Sequence, residues 1–374
     1  MKVMNELQKY LFANKADRMT DEELKHLMDK LDINVKFEDG LVMFMYRDFA
    51  DFSNLVVQNC RGIILYRDTF DIACYPFDKF NNYTSQLASD IDWKSARVLE
   101  KLDGQILKLW FNKYTNVWVL SSNGAIYTRD IIIRGGKTVG WLFDNSVSKV
   151  DYTKLNKDKT YIFEIVSPYN KVIIDYNETE IYHIGTRDNI TQKEEETDIG
   201  ISKPKIYNVK SLAEAIETAN KICVQGDRHE GFVVVDKNYN RIKVKSQYYF
   251  DCKFVMGKLN GSKEVILELI DSLSEDEINS MVQKVPEMEQ LIVYYKHELT
   301  KAYNKVDKLF KDADIMKAKY EYRMDYISWV DSLVVNKKLR KLLVKFYGTT
   351  KTIEEFKQSV NKALIYSIVE KYNK

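Results

Sequence analysis

Glycine divides this chain in two, and the division limits what it can fold into. Of 14 glycines in 374 residues, thirteen lie at or before Gly261 and only Gly348 lies beyond. Three of the four prolines also precede that point. Tight turns between strands need glycine, whereas helix interiors lose stability to it. The distribution predicts an α+β fold, with a mixed domain over residues 1–250 built on largely antiparallel sheets and an all-helical domain over 251–374.

Local patterns agree with that division. Thr20-Asp21-Glu22-Glu23 reads as a capping box, and Leu24, Leu27, Met28 and Leu31 form one apolar stripe, so the chain opens with a helical segment. Short β-branched or aromatic runs bounded by Asn, Asp or Gly predict strands at Leu41–Tyr46, Gly62–Tyr66, Gln105–Phe111, Val117–Leu120, Tyr161–Val166, Val172–Tyr176, Ile181–Gly185, Phe232–Val235 and Arg241–Lys245. Residues 112–116 and 236–240 read as hairpin connections, which favours antiparallel pairing over a βαβ array. Helices are expected to interrupt near Lys137–Lys149 and Ser211–Cys223. Beyond Phe254 the apolar spacing becomes helical: Val265, Ile266, Leu269, Ile270 and Leu273, then Leu291, Ile292, Tyr295 and Leu299, then Leu339, Leu342, Leu343 and Phe346. Lys337-Lys338-Leu339-Arg340-Lys341 is a basic run there, read first as a solvated helix face and second as an RNA contact.

Composition excludes several classes. A net charge of only +2 gives no bulk attraction to nucleic acid, so any such binding must come from local clusters. The cysteines at 60, 74, 223 and 252 form no CxxC or CxxH pair, so neither a zinc site nor a disulfide framework is expected, which fits a reducing cytoplasm. Residues 1–15 do not read as a signal peptide, and no window approaches the ~20 apolar residues of a membrane span. A Walker P-loop and a Rossmann glycine fingerprint are both missing from the sequence.

The chemistry concentrates in four spaced elements: Lys101-Leu102-Asp103-Gly104, Phe163-Glu164, His229-Glu230-Gly231-Phe232 and Lys243-Val244-Lys245. The first tetrad alone is weak evidence. A lysine followed in order by two spaced acids and a paired-lysine strand suggests covalent nucleotidyl transfer. A free lysine amine has a pKa near ~10.4 and is protonated. Crowding by other cations or partial desolvation makes it nucleophilic. Lys243 and Lys245 alternate with Ile242 and Val244 and share one strand face. Beside Lys101 they would lower its pKa and neutralise a phosphate in the transition state; otherwise they are solvated lysines of an edge strand. Glu164 interrupts an apolar run, which fits a hydrogen bond to a ribose hydroxyl or simple alternation toward solvent. Glu230 stands at the mouth of a buried strand, where an acid can hold Mg²⁺ beside phosphates or serve a turn. Arg61 and Lys79 suit phosphate binding, with ordinary surface charge as the alternative.

In this order the elements resemble those of the covalent nucleotidyltransferases, the superfamily of polynucleotide ligases and RNA-capping enzymes. They are most similar to the bacteriophage ATP-dependent RNA ligases of the tRNA-repair type found in T-even phages. Cys60-Arg61-Gly62-Ile63 and Lys79-Phe80 match elements upstream of that family's nucleophile, and Lys101-Leu102-Asp103-Gly104 matches the nucleophile motif. Phe163-Glu164 with residues 167–173, Glu230-Gly231-Phe232-Val233, and Lys243-Val244-Lys245-Ser246 complete the set, which covers residues 40–250.

The resemblance implies an adenylyltransferase domain followed by a helical domain for RNA specificity. It implies ATP as substrate, Mg²⁺ or Mn²⁺ as cofactor, and RNA with 5′-phosphate and 3′-hydroxyl ends, such as nicked tRNA, joined in partnership with an end-healing kinase/phosphatase. Lys101 would carry AMP. Lys243 and Lys245 would bind the α-phosphate, Arg61 and Lys79 the pyrophosphate, Glu164 the ribose and Glu230 the metal. Ile184 and Val233 would flank adenine, Leu102 and Gly104 would complete the ATP site, and Asp103 would hold the loop. The reaction would run in the cytoplasm, that of the host for a phage protein. Two positions depart from the family pattern: Gln105 stands where serine is usual, and Ser121-Ser122-Asn123-Gly124 lacks the usual basic residue. These departures leave open a non-catalytic RNA-binding protein derived from a ligase. A DNA ligase or capping enzyme shares the chemistry but normally carries a β-rich domain where this chain is helical.

Overall fold

In the computed structural model the glycine-rich half forms three sheets and the glycine-poor half forms helices. The structure describes residues 3–224, 229–259, 263–284, 289–334, 336–349, 352–357 and 362–369. The chain separates into two units, Met1–Phe250 and Asp251–Lys374.

The first unit opens with two capped helices, Glu6–Ala13 and Asp21–Asp29. Thr20 and Glu23 form the expected reciprocal cap, and Leu24, Leu27 and Met28 are buried. They pack on a four-stranded meander of β1 (Ile33–Glu38), β2 (Leu41–Tyr46), β3 (Arg61–Tyr66) and β4 (Ile72–Cys74). The next strands are β5 (Asn81–Asn82), β6 (Arg97–Glu100), β7 (Gln105–Asn112), β8 (Val117–Ser122), β9 (Lys159–Val166), β10 (Glu180–Asp188) and β11 (Glu194–Glu195). Last come β12 (Ile206–Tyr207), β13 (Gly231–Val235) and β14 (Arg241–Lys245). They form two five-stranded sheets, in the orders β11-β10-β9-β7-β8 and β12-β6-β13-β14-β5. Pairing is antiparallel throughout except for β14 with β5. Both expected hairpins form, each with a positive-φ residue in its turn, Asn116 and Tyr239.

One expected strand is corrected. Val172–Tyr176 is not a strand: residues 172–174 are bends and 175–176 are irregular. The Ile173 and Ile174 amides donate to the Asp103 carboxylate, at 2.7 and 2.8 Å, and so are withdrawn from any ladder. The helix expected near Lys137–Lys149 is shorter, Val139–Asp144, capped by Thr138. The helix at Leu212–Val224 falls where expected.

In the second unit the described residues form helices and no strand. Its longest element, Glu289–Lys319, buries Ile292, Tyr295, Leu299, Ala302, Val306, Phe310 and Ala313 at three- and four-residue spacing. Helix Lys337–Tyr347 buries Leu339, Leu343 and Phe346 and exposes Lys337, Lys338 and Lys341, as a solvated basic face would. Val265 and Leu269 have side chains outside the described set. Among the described residues no helix is long and apolar enough to cross a membrane.

Candidate active site

Register builds the site. Across the third sheet, Val233 of β13 faces Leu99 of β6 on one side and Lys243 of β14 on the other. Residues opposite one another share a sheet face. Phe232, Val234, Ile242 and Val244 therefore point into the core with Val98, and Leu99, Val233, Lys243 and Lys245 point into a cavity of ≈ 160 Å³. Lys101 follows β6 directly, and its N–H donates to the Gly231 carbonyl at 2.9 Å. Gly231 in turn pairs with Lys245. The paired-lysine strand thus lies one strand away from Lys101, not beside it.

The gap between the two lysines is filled by Glu230. Its carboxylate, 2% exposed, accepts from Lys101 Nζ at 2.8 Å and pairs with Lys245 Nζ at 2.9 Å. Gly231 makes this close approach feasible. It has φ +133°, and an added Cβ would lie 2.1 Å from the Val244 carbonyl oxygen.

The opposite wall comes from the second sheet, where Ile106 of β7 and Glu164 of β9 are register partners. Ile184 is the extra residue of a β-bulge between His183 and Gly185, and it too lines the cavity. Burial lifts the Glu164 carboxyl to about 7; nearby Glu230 adds to the rise, while Lys101 and Arg61 oppose it. Glu164 accepts from the Gly104 N–H at 3.2 Å. An added Cβ on Gly104 would meet the Ile165 carbonyl oxygen at 2.2 Å, so only glycine lets the nucleophile loop lie against β9.

Asp103 faces away from the cavity's chemistry. One oxygen takes the Ile173 and Ile174 amides and the other accepts from the Tyr249 hydroxyl at 2.7 Å. Its own N–H donates to Tyr176 Oη at 3.0 Å. It is a positioning residue, with both carboxylate oxygens engaged in holding the loop.

Arg61, at the start of β3, lines the cavity with its guanidinium 5.0 Å from the Phe80 ring. Its Nη1 is buried without a hydrogen-bond partner among the described residues. Lys243 Nζ stands 4.7 Å from the same ring. Burial, and then the fields of Arg61, Lys101, Lys79 and Lys245, bring the Lys243 ammonium down to about 7. Lys79 does not line the cavity. It sits over the Phe52 ring at 3.8 Å, and burial and Arg61 lower its pKa.

The structure brings Arg61, Lys101, Leu102, Glu164, Ile184, Val233, Lys243 and Lys245 to one cavity. Glu230, Asp103 and Gly104 lie directly behind its wall. Sequence reasoning missed Arg241, Phe77 and Glu100, which also line it. Arg241 was within reach, since it continues the same-face alternation of Lys243 and Lys245. It makes a bidentate pair with Glu194, at 2.6 and 2.8 Å, and stacks on Phe77 at 4.3 Å. Five basic side chains and two carboxylates line the cavity, and Glu230 and Glu194 pair with three of the five, which leaves Arg61 and Lys243 to meet a polyanionic ligand. Among the described residues no three His, Cys, Asp or Glu side chains cluster to hold a metal. Glu230 is a single carboxylate between two ammoniums, so the residues fit a divalent ion only together with substrate phosphates.

The model of the RNA ligase family matches residues 59–259. The chain is 26% identical over 254 residues to a "Putative bifunctional polynucleotide kinase/RNA ligase" of Autographa californica nuclear polyhedrosis virus, covering 61% of this chain and 36% of that protein. It thus spans about a third of that relative's length. It is 24% identical over 349 residues to an RNA ligase of Rhodothermus phage RM378, covering 74% of this chain and 77% of the other. Among solved structures, an archaeal ATP-dependent RNA ligase aligns with a TM-score of 0.48 and 13% identity over 78% of this chain and 82% of its own.

Proposed function

The chain belongs to the RNA ligase family, and from that premise we propose that it joins the 5′-phosphate and 3′-hydroxyl ends of RNA by way of AMP carried on Lys101. The observation that carries this reading is the placement of the Lys101 amine on a cation-lined cavity, with Glu230 behind it and Lys243 and Lys245 across from it.

In the first step the Lys101 amine, having lost a proton, attacks the α-phosphorus of ATP. A nitrogen–phosphorus bond forms, the bond to the bridging oxygen breaks, and pyrophosphate leaves. Lys243 and Lys245 offset the charge that builds on the α-phosphate, in a partly buried site where such charges act strongly. Arg61, whose buried Nη1 has no hydrogen-bond partner among the described residues, and Lys79 take the pyrophosphate end. Glu164 accepts from the ribose, and Ile184 and Val233 enclose the base. In the second step an oxygen of the RNA 5′-phosphate displaces Lys101 from the AMP phosphorus, and the lysine regains a proton. In the third a 3′-hydroxyl attacks the activated 5′-phosphorus, AMP leaves, and the strand is sealed. A divalent ion, magnesium or manganese, held by Glu230 and phosphate oxygens would supply further charge neutralisation.

We assign adenylyl transfer to residues 1–250 and RNA recognition to the helices of 251–374. Nicked tRNA is the substrate we favour, and the kinase/ligase name of the baculovirus relative supports an end-healing partner. Scattered cysteines suit a reducing cytoplasm.

The test is sealing. After pyrophosphate treatment of the protein, single-stranded RNA labelled at its 5′-phosphate should be converted to circular or longer product that resists phosphatase, only with ATP and a divalent ion present. Label that stays phosphatase-sensitive under all conditions contradicts the reading.

A further inference from the structure

Outside the cavity, residues 129–144 build an exposed platform of rings and cations. The segment folds back on itself: the Val139 N–H donates to Ile131 O at 3.0 Å, Ile133 to Lys137 O at 2.8 Å and Gly140 to Arg129 O at 2.8 Å, with a bridge between Ile132 and Thr138. Gly135 and Gly136, at φ +74° and +68°, make the turn. The result is a hydrogen-bonded hairpin that anchors Val139, Leu142 and Phe143 in the core and leaves Ile131, Ile132 and Trp141 facing solvent. Ile132 is 73% exposed and Trp141 37%.

The charges there are not internally neutralised. Arg129 pairs with Asp144, but Arg134 and Lys137 make no ion pair among the described residues. Asp130 is an exposed acid on the segment. Lys137 Nζ sits 4.1 Å from the Trp141 ring, and Tyr169 meets that ring edge-on at 5.9 Å. Gly135 packs against Tyr169, where an added Cβ would lie 3.3 Å from the ring.

Tyr169 also ties the platform to the nucleophile. Four residues on, Ile173 donates to Asp103, two residues past Lys101. Four residues of extended chain reach at most ~14 Å. The platform therefore lies within a few nucleotides of an RNA end at Lys101.

Aromatic rings beside unpaired cations are the means by which proteins hold single-stranded nucleic acid, with bases on rings and phosphates on cations. We propose that Arg134, Lys137, Trp141 and Tyr169 bind the single-stranded RNA adjoining the end to be sealed, with Ile131 and Ile132 packing against it. This rests on the ligase reading and extends it to a second RNA contact, separate from the helical unit.

The test uses the full chain and three variants: Trp141→Ala, Trp141→Phe and the double variant Arg134→Gln/Lys137→Gln. Three quantities are read: lysyl-AMP formation, anisotropy binding of a single-stranded RNA 12-mer across a salt series, and the KM for that RNA in sealing. Trp141→Ala should weaken RNA binding about tenfold and raise the KM in step, with Trp141→Phe recovering most of the loss. The double variant should bind less tightly and flatten the salt dependence by about one to two in slope. None touches the cavity, so lysyl-AMP formation should stay at the wild-type rate. Variants that bind and seal RNA as wild type does overturn this inference alone. Variants that lose only their hold on an end-healing kinase overturn it in favour of a protein-docking surface. A wild type that forms no lysyl-AMP and seals no RNA overturns the ligase reading and this inference together.

Discussion

The Lys101 ammonium donates to the Glu230 carboxylate at 2.8 Å, in a setting where the lysine side chain is 20% exposed and the acid 2%. Lys245 holds the other oxygen. Glu230→Gln would leave two ammoniums around one neutral amide. Breaking a buried pair from one side is costly, so the variant should lose about 3 kcal/mol of stability in a urea melt. Its lysyl-AMP formation should slow by about 100-fold. A variant as stable and as fast as wild type would remove Glu230 from the account.

Glu164 makes stability depend on pH in a defined direction. Its folded carboxyl titrates near 7, above the ordinary value of 4.5. Between those values the unfolded chain loses the proton while the folded chain keeps it, so rising pH favours unfolding. The penalty is absent below 4.5 and complete above 7. Glu164→Gln cannot titrate and escapes it. The urea midpoint of the variant, relative to wild type, should therefore be higher at pH 8 than at pH 5. An offset that does not change with pH contradicts the placement of Glu164.

Gly185 packs against the ring of Phe77, where an added Cβ would come within 2.5 Å of Cζ. Phe77 lines the cavity near Ile184. Gly185→Ala should push the ring into the space we assign to the base. Overpacking of this kind costs about 1–3 kcal/mol of stability, and the displaced ring should also raise the KM for ATP by about tenfold, read by steady-state kinetics. A KM within twofold of wild type would place the base elsewhere.

Arg241 and Glu194, 9% and 11% exposed at their side chains, should behave as a unit. Arg241→Met alone leaves a buried carboxylate unpaired and should cost about 3 kcal/mol. Adding Glu194→Gln should restore more than half of that. Additive losses in the double-mutant cycle would show that the two do not interact.

Much of the fold is legible in the sequence because it depends on alternation. Leu41–Tyr46 and Arg241–Lys245 are strands as their side-chain pattern predicts. The strand that Lys101 follows is not among those the pattern predicts. Arg97–Glu100 is short, charged at both ends, and paired with a strand more than 130 residues later. Val172–Tyr176 misleads in the other direction, since its β-branched residues give their amides to a carboxylate seventy residues away. The order of the motifs points to the chemistry, but which residues meet depends on register. Nothing local says that Lys245 reaches Lys101 through Glu230, or that a bulge sets Ile184 into the cavity.

The central claim is that Lys101 takes AMP from ATP. The protein should first be treated with pyrophosphate to strip any AMP already attached. It should then be incubated with Mg²⁺ and ATP labelled at the α-phosphate, and the denatured polypeptide inspected for label beside Lys101→Ala. Stable label is expected on wild type and none on the variant. Label on both would assign the nucleophile to another residue, and label on neither would contradict covalent nucleotidyl transfer by this chain.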